Sequence, residues 1–385
     1  MEQSGCSRCE KEKKDASGER TGRQELPGRQ ELFSRPESFS RQELFDRRIS
    51  YALRGIAILM VMASHYGEWY AEPIGIPALS RFLMGLGRYG VDIFFLMSGY
   101  AMAKSAAAGS VTAKNAEAEY PAAEDRRKGK PGWAFWIKRL RGTYIPYLIL
   151  AGIIEICAGG AVTPARAVRY LLAQDYWFIC NIMVLYLFFF AAFQFRRLRI
   201  VLLTLLTAAF TVLLYASGRQ DFWYVSNLAF PLGAACGLYE KRLLAWMKGK
   251  RLWIVPAATL LCILLVPAAM RERALLLQTG GRGRLQPAAN TLFSLWITLL
   301  PWPGQRLGAV GRRVGGVLRF FGKNSLYLYL LHPFLYYQTA GRWGLGAAGS
   351  FAVAFGSAVL GAWLFSLLWK AVSAKRSAAA KGTDR

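Results

Sequence analysis

The chain has 385 residues, of which 54% are hydrophobic and 14% are aromatic, and its formal net charge at pH 7 is +26. In a soluble protein this charge would indicate a nucleic-acid partner, but the sequence contains no basic and aromatic module typical of a nucleic-acid-binding domain. Long apolar runs with basic flanks are instead typical of a polytopic membrane protein. The composition therefore predicts a multi-pass protein that contacts membrane lipids and binds no nucleic acid.

The N-terminal region carries a polar repeat rather than an apolar run. Its copies read GRQELP, GRQELF, SRPESF and SRQELF, from Gly22 to Phe45. A hexad of this kind, with Pro, Gly and mixed charge, cannot bury a hydrophobic core. We therefore predict a disordered N-terminal extension over residues 1–48.

Apolar segments of spanning length then predict an all-α transmembrane bundle of about ten helices over residues 49–370. They lie near residues 49–69, 84–103, 142–160, 176–195, 200–217, 221–239, 252–270, 288–302, 317–337 and 347–369. Basic residues are concentrated in alternate loops and in the tail at 371–385, which predicts that both termini are cytoplasmic and that the protein lies in the cell membrane. The predicted outer loops hold one denser basic patch, formed by Arg271, Arg273, Arg282 and Arg284.

The six cysteines indicate neither a disulfide framework nor a metal site. Four of them lie in apolar stretches, where cysteine usually behaves as a small buried hydrophobe. Cys6 and Cys9 form a lone Cys-x-x-Cys pair with no second ligand pair and no histidine nearby. We therefore predict no metal cofactor.

Five ionisable residues lie within or near the ends of predicted segments, where such groups usually face a cavity or a partner. They are Arg54, His65, Asp92, Glu155 and His332. Arg54 and His65 are eleven residues apart, close to three helical turns, so their side chains point the same way with an offset of ~16 Å along the axis. Glu68 follows on the same face, within reach of His65. The alternative reading is an arginine that extends to the lipid interface and an interfacial histidine.

Three sequence patterns accompany these residues in a fixed order. The first segment has an Arg-x10-His pattern at Arg54 and His65. The second has a Phe-Phe-x-x-Ser-Gly-aromatic pattern, formed by Phe94, Phe95, Ser98, Gly99 and Tyr100. The ninth has a Ser-x-Tyr-x-Tyr-Leu-x-His pattern, formed by Ser325, Tyr327, Tyr329, Leu330 and His332. Together they resemble the acyltransferase-3 family of membrane O-acyltransferases, which modify envelope polysaccharides and related glycans.

The third segment departs from the pattern of that family. The family's Arg-x-x-Arg appears here as Lys138-Arg139-Leu140-Arg141, with lysine in the first position. One extra residue also separates Arg141 from the Tyr144-Ile145-Pro146 that follows. The assignment of particular roles to these cations is therefore left open.

The resemblance implies transfer of an acyl group, commonly acetyl, from cytoplasmic acyl-CoA to a hydroxyl of an extracytoplasmic or lipid-linked glycan. Arginine binds phosphate well through paired charged hydrogen bonds, so Arg54, Arg139 and Arg141 are candidates to bind the CoA phosphates. His65 is the candidate general base for the acceptor hydroxyl. Transfer through a covalent acyl-histidine or acyl-serine intermediate is an open alternative.

The remaining candidate residues have less defined roles. Asp92 or Glu68 is expected to fix the tautomer of His65 or to hold sugar hydroxyls, and Ser98 and Tyr100 are expected to line the same cavity. His332 either assists in this site or hydrogen-bonds within the bundle. Glu155 is interpreted as a cavity-facing or paired carboxylate. Asp175 and Asn181 lie near a predicted outer boundary, where an acceptor is expected to bind.

Two rival functions are compatible with the same sequence. A transporter or flippase for a lipid or glycan also needs many helices and buried charge. We find no convincing internal repeat, but Pro231, Pro256 and Pro267 leave room for interrupted helices. The second rival is an acyltransferase that acts on a small molecule or a peptide amine instead of a glycan.

Overall fold

The computed structural model describes residues 43–70, 75–114, 131–159, 163–279, 283–301, 309–339 and 345–382, and these residues form helices and their connections without a β-strand. The first helices are α1 (Arg47–Trp69), α2 (Pro77–Lys114), α3 (Trp133–Arg139), α4 (Ile145–Cys157), α5 (Pro164–Leu171), α6 (Trp177–Ala192) and α7 (Arg199–Ala216). The others are α8 (Ala229–Leu238), α9 (Glu240–Met247), α10 (Arg251–Thr279), α11 (Leu285–Leu299), α12 (Ala309–Lys323), α13 (Ser325–Thr339) and α14 (Ala347–Gly382). The predicted all-α fold is confirmed for these ranges.

Among the described residues, five stretches are long and apolar enough to cross a membrane. They are Arg47–Trp69, Trp133–Cys157, Arg199–Ala216, Arg251–Leu276 and Ala348–Ser373. Two shorter apolar helices, Trp177–Ala192 and Ala229–Leu238, lie between them in the chain. Each of the ten predicted segments contains helix, but ten crossings and the cytoplasmic position of both termini stay predictions.

Two predicted segments are not single long helices. The segment at 317–337 is divided into α12 and α13 at Asn324, whose side-chain amide donates to the carbonyl of Phe320 at 2.9 Å. The segment at 221–239 begins with a 3₁₀ turn, Asp221–Trp223, and has only the ten residues of α8 as α-helix. In the second segment Asn227 donates to the Trp223 carbonyl at 3.2 Å, and side chains that bond to nearby backbone in this way compete with helix continuation.

The first helix of the bundle begins earlier than the predicted boundary at residue 48. Asp46 caps α1 by accepting a hydrogen bond from the Ile49 amide at 2.7 Å. Leu44 and Phe45, just before it, are buried in the core, and Glu43 pairs with Lys104 of α2 at 2.9 Å. The last Glu-Leu-Phe of the hexad repeat therefore packs with the helical bundle.

Glycines let the central helices approach closely. A Cβ atom at Gly99 of α2 would lie 2.0 Å from the carbonyl oxygen of Phe230 in α8, and one at Gly55 of α1 would lie 2.0 Å from that of Leu318 in α12. No larger residue fits at such contacts without moving backbone. The Ser98-Gly99 pair thus includes a helix-packing glycine, as the small-residue interpretation predicts.

Helices α1 and α2 run antiparallel along this interface. The Ser64 hydroxyl near the end of α1 donates to the Met84 carbonyl at 2.8 Å, close to the beginning of α2. Phe45, just before α1, contacts Tyr100, which lies further along α2. The bundle therefore has two ends along α1, called below the His65 end and the Arg54 end after those residues.

Candidate active site

A cavity of about 810 Å³ opens at the His65 end of the bundle. Helices α1, α2, α6, α10 and α13 and the 3₁₀ turn between α7 and α8 all contribute side chains to it. The polar residues that line it are Ser64, His65, Glu68, Arg88, Arg219, Gln220, Asp221, Ser226 and Arg273. Trp69, Trp177 and Tyr329 contribute aromatic walls. This combination of a concave apolar enclosure with few convergent polar groups is typical of a ligand site.

His65 is held in a defined orientation at the cavity wall. Its Nδ1 lies 3.2 Å from Oε2 of Glu68, and its ring stacks on Trp69 with 4.9 Å between the ring centroids. A carboxylate only accepts hydrogen bonds, so Nδ1 carries the proton and donates to it. In the neutral ring Nε2 is then the unprotonated nitrogen, which is the form that a general base requires.

The second histidine lies against the first. The ring centroids of His65 and His332 are 5.1 Å apart, although the two residues are on α1 and α13. His332 is fully buried, and its Nδ1 donates to the carbonyl of Leu328 at 2.8 Å. Within the described part of the chain its Nε2 has no hydrogen-bond partner. His332 therefore both bonds within the bundle and adjoins the site.

Asp92 does not take the position expected for a partner of His65. Its side chain is fully buried beside Ser226 and Asn290, and neither carboxylate oxygen has a hydrogen bond of normal geometry among the described residues. The cavity is lined instead by neighbouring positions of α2, including Arg88 and Val91. Asp92 lies one turn after Arg88 on nearly the same side of α2, but its carboxylate is packed inside the bundle and does not line the cavity. In this arrangement Glu68, and not Asp92, orients His65.

A partly buried cluster of charged side chains, which the sequence did not single out, faces the cavity. One terminal nitrogen of Arg88 lies 2.8 and 2.9 Å from the two carboxylate oxygens of Asp221, and Nε of Arg273 lies 2.8 Å from one of them. Burial tends to raise the pKa of Asp221, but these two guanidinium groups outweigh it and lower the pKa below its ordinary value. Asp221 is therefore a stable anion that joins α2, α10 and the 3₁₀ turn.

Only part of this cluster is indicated by the amino-acid sequence. Arg273 belongs to the basic patch of a predicted outer loop, and Arg88 lies one turn before Asp92. Arg88 and Asp221 are 133 positions apart, and Asp221 and Arg273 are 52 positions apart, so no local spacing connects them. Their convergence depends on how α2 and α10 pack.

The Arg54 end has a different electrostatic character. Arg54 is partly exposed, and its guanidinium lies 5.9 Å from the ring centroid of Tyr51. Arg139 lies over the rings of Phe135 and Tyr186 at 5.5 and 5.3 Å, and it is near enough to Arg54 for their charges to interact. The structure thus brings together two of the three arginines predicted to bind phosphate.

Arg141 follows on an exposed π-helical turn, Leu140–Tyr144. A π turn accommodates one residue more than an α turn within a continuous helix. The extra residue between Arg141 and Tyr144 falls in this turn. The departure from the family spacing is therefore absorbed locally, and α4 continues in the bundle with Tyr147 and Leu150 buried.

Tyr100 and Ser98 do not share the cavity with His65. The Tyr100 hydroxyl is buried at the Arg54 end, where it donates to Glu240 and lies 3.2 Å from the ammonium of Lys104. Ser98 lies on the same part of α2 and is not among the lining residues. The prediction of a common cavity is therefore wrong, because α2 runs antiparallel to α1 and carries these residues away from His65.

The other polar residues have local partners. Glu155 pairs with Arg166, as expected for a paired carboxylate, and Asp175 pairs with Arg169. Asn181 is buried and donates to the Trp223 carbonyl at 2.6 Å, so it supports the turn beside the cavity. No group of three His, Cys, Asp or Glu side chains suited to a metal occurs among the described residues.

The fold and the cavity together define a polytopic helical membrane protein with an oriented histidine in an enclosed polar site. The family model described as an acyltransferase domain, that of the acyltransferase-3 family, matches residues 51–367. This match covers most of the chain, so the protein belongs to that family and is a membrane acyltransferase. Comparison with curated proteins and with solved structures returned no match.

Proposed function

We propose that this membrane acyltransferase transfers an acetyl group from cytoplasmic acetyl-CoA to a hydroxyl of an extracytoplasmic or lipid-linked envelope glycan, with His65 as the general base. The observation that carries the proposal is the hydrogen bond from His65 Nδ1 to Glu68 at the wall of the cavity. It leaves Nε2 as the proton acceptor. It also leaves a carboxylate in position to stabilise the imidazolium that forms.

In the proposed reaction His65 removes the proton of the acceptor hydroxyl while the hydroxyl oxygen attacks the thioester carbonyl carbon. The carbon–sulfur bond then breaks, and the proton passes from Nε2 to the leaving CoA thiolate. The products are the O-acetyl ester and free CoA thiol, so His65 returns to its neutral form. No metal ion takes part in this proposal. General base catalysis of this kind typically contributes ~10²–10⁴-fold in rate.

The Arg54 end is the proposed site of the CoA phosphates. Arg54 and Arg139 lie near each other, and no described carboxylate is within ion-pair distance of either guanidinium. Arginine is suited to phosphate because its planar donors bind two oxygens at once. The offset of ~16 Å between Arg54 and His65 along α1 is comparable to the length of the flexible arm that ends in the thioester.

The experiment that tests this function is mass spectrometry of surface glycans from the native host. It compares the wild type, a deletion strain, and the deletion complemented with either the wild-type gene or His65→Ala. We expect an O-acetyl group to be absent from the deletion and from the His65→Ala strain, and to be restored by the wild-type gene. If the glycans keep their acyl groups but a whole component is missing, transport is the better account.

A further inference from the structure

The side chains that line the cavity carry more positive than negative charge. Arg88, Arg219 and Arg273 line the cavity, while the lining carboxylates are Glu68 and Asp221. With neutral His65, three guanidinium groups against two carboxylates leave an excess charge of +1. Glu68 hydrogen-bonds to His65 and is also near enough to Arg88 and Arg273 for their charges to interact, so the excess of one positive charge belongs to the cavity as a whole.

Asp221 alone does not neutralise the arginines that line the cavity. Its single carboxylate pairs with both Arg88 and Arg273, so it neutralises only one of these two positive charges. The Arg88 side chain is only 8% exposed, and its Nε has no hydrogen-bond partner among the described residues. A buried cationic donor without a partner is costly, and an anionic ligand would relieve that cost.

Arg219 adds a further donor from the rim of the cavity. Its guanidinium lies 5.1 Å from the ring centroid of Trp223, and no described carboxylate is within ion-pair distance of it. Gly218, Arg219, Gln220 and Asp221 all line the cavity, so the turn that fixes the cluster also presents this arginine. Planar guanidinium groups bind carboxylate and phosphate through paired donors.

We infer that the acceptor is an anionic glycan: the arginines that line the cavity bind a carboxylate or phosphate group of the same molecule whose hydroxyl faces His65. This substrate class rests on the proposed function, since it concerns the acceptor of the acyl transfer. The binding of the anion, however, needs neither acyl-CoA nor turnover. Arg219 is a specificity-determining residue in this account, and Arg88 and Arg273 are preorganised by Asp221.

The test measures binding of matched sugars to the purified full-length protein in detergent, without acyl-CoA. The probes are glucose, glucuronic acid and glucose 1-phosphate, and the readout is isothermal calorimetry. We expect at least one charged sugar to bind about tenfold more tightly than glucose, which corresponds to ~1.4 kcal/mol. The two charged probes distinguish a site for carboxylate from one for phosphate. Equal binding of all three, or no binding of any, would contradict the inference.

Two exposed arginines give a matched pair of variants. Arg219→Gln should reduce the preference for the charged sugar at least threefold, while Arg169→Gln, whose arginine pairs with Asp175 and does not line the cavity, should leave it unchanged. An equal loss in both variants would show a general charge effect and overturn the assignment. If the binding preference is found but no acyl transfer occurs, the anion site stands and the proposed reaction fails.

Discussion

The two ends of the bundle use arginine in different ways. At the His65 end, Arg88 and Arg273 are fixed by ion pairs to Asp221, and the neighbouring imidazole is fixed by Glu68. At the Arg54 end, Arg54 and Arg139 lie against aromatic rings, and no described carboxylate pairs with them. The arginines of the His65 end are therefore held in a set geometry by Asp221. Arg54 and Arg139 instead offer positive charge to a ligand that supplies the anion.

A single helix, α1, connects the two ends. The α1 helix carries Arg54 and His65 on one face, so it links the two ends over ~16 Å. A donor with phosphates at one end and a thioester at the other would contact both. The account therefore predicts that substitutions at the two ends change different kinetic quantities.

The largest expected effect is at the His65 end. His65→Ala removes the proposed base, so kcat should fall by ~10²–10⁴-fold. The dissociation constant for acetyl-CoA should stay within about twofold, because the phosphates are proposed to bind elsewhere. Release of CoA thiol by the purified protein gives kcat, and calorimetry gives the dissociation constant. A variant that keeps the wild-type kcat would remove His65 from the reaction.

The next effect belongs to the Arg54 end. Arg54→Ala deletes a charged donor, and a hydrogen bond to a charged group is worth ~1.5–3 kcal/mol. The dissociation constant for acetyl-CoA should therefore rise by about tenfold or more, with a smaller change in kcat. Arg169→Ala is the control, since Arg169 pairs with Asp175 and is not near Arg54 in sequence or in its contacts. An unchanged dissociation constant in Arg54→Ala would assign that residue a structural role.

A smaller effect is expected from the partner of the base. Glu68→Gln keeps the size of the side chain but removes the charge that stabilises the imidazolium. The Glu68 side chain is 51% exposed, and pairs of this kind are worth ~0.2–1 kcal/mol, so kcat should fall by less than about fivefold.

The matched control for that substitution is Glu155→Gln. Glu155 is also a partly exposed carboxylate in an ion pair, but its partner is Arg166. The Glu155→Gln substitution should leave kcat unchanged. Equal changes in the two variants would mean that Glu68 acts through general electrostatics and not through His65.

The smallest effect concerns acid stability at the cavity. The folded-state pKa of Asp221 lies below its ordinary value of 3.8, so its ion pairs stabilise the fold fully above that pH and lose their contribution only as the pH falls through the lower folded value. The difference in Tm between the wild type and Asp221→Asn should therefore be constant from about pH 7 to pH 5. This difference in Tm should become smaller only in stronger acid. Narrowing near neutral pH would show that Asp221 is not held ionised by the two arginines.

The parts of the site that sequence predicts are those within one helix. Helical periodicity places Arg54, His65 and Glu68 on one face of α1, and the structure shows the His65–Glu68 contact. Asp92 follows the same logic less well, because its carboxylate is packed inside the bundle although Arg88, one turn earlier on α2, lines the cavity. A pattern on a single helix cannot tell which of these directions the neighbouring helices leave open.

The parts that sequence misses depend on contacts between distant helices. Asp221 joins residues of α2 and α10, and the approach of His65 to His332 joins α1 and α13. Hydropathy predicts that apolar helices exist, but it does not detect the break at Asn324 or the short turn that carries Asp221. Those features depend on side-chain hydrogen bonds to backbone, which the mean hydropathy of a segment does not detect.

Acyl transfer by the protein reconstituted in lipid vesicles is the decisive experiment for His65-dependent transfer across the membrane. Radiolabelled acetyl-CoA is supplied on one side of the membrane and an envelope glycan preparation of the native host on the other, with wild-type and His65→Ala protein in parallel. The account predicts label in the glycan with the wild type and none above background with His65→Ala. Label transferred at the wild-type rate by His65→Ala, or glycan moved by the wild type without acetyl-CoA and without label, would contradict it.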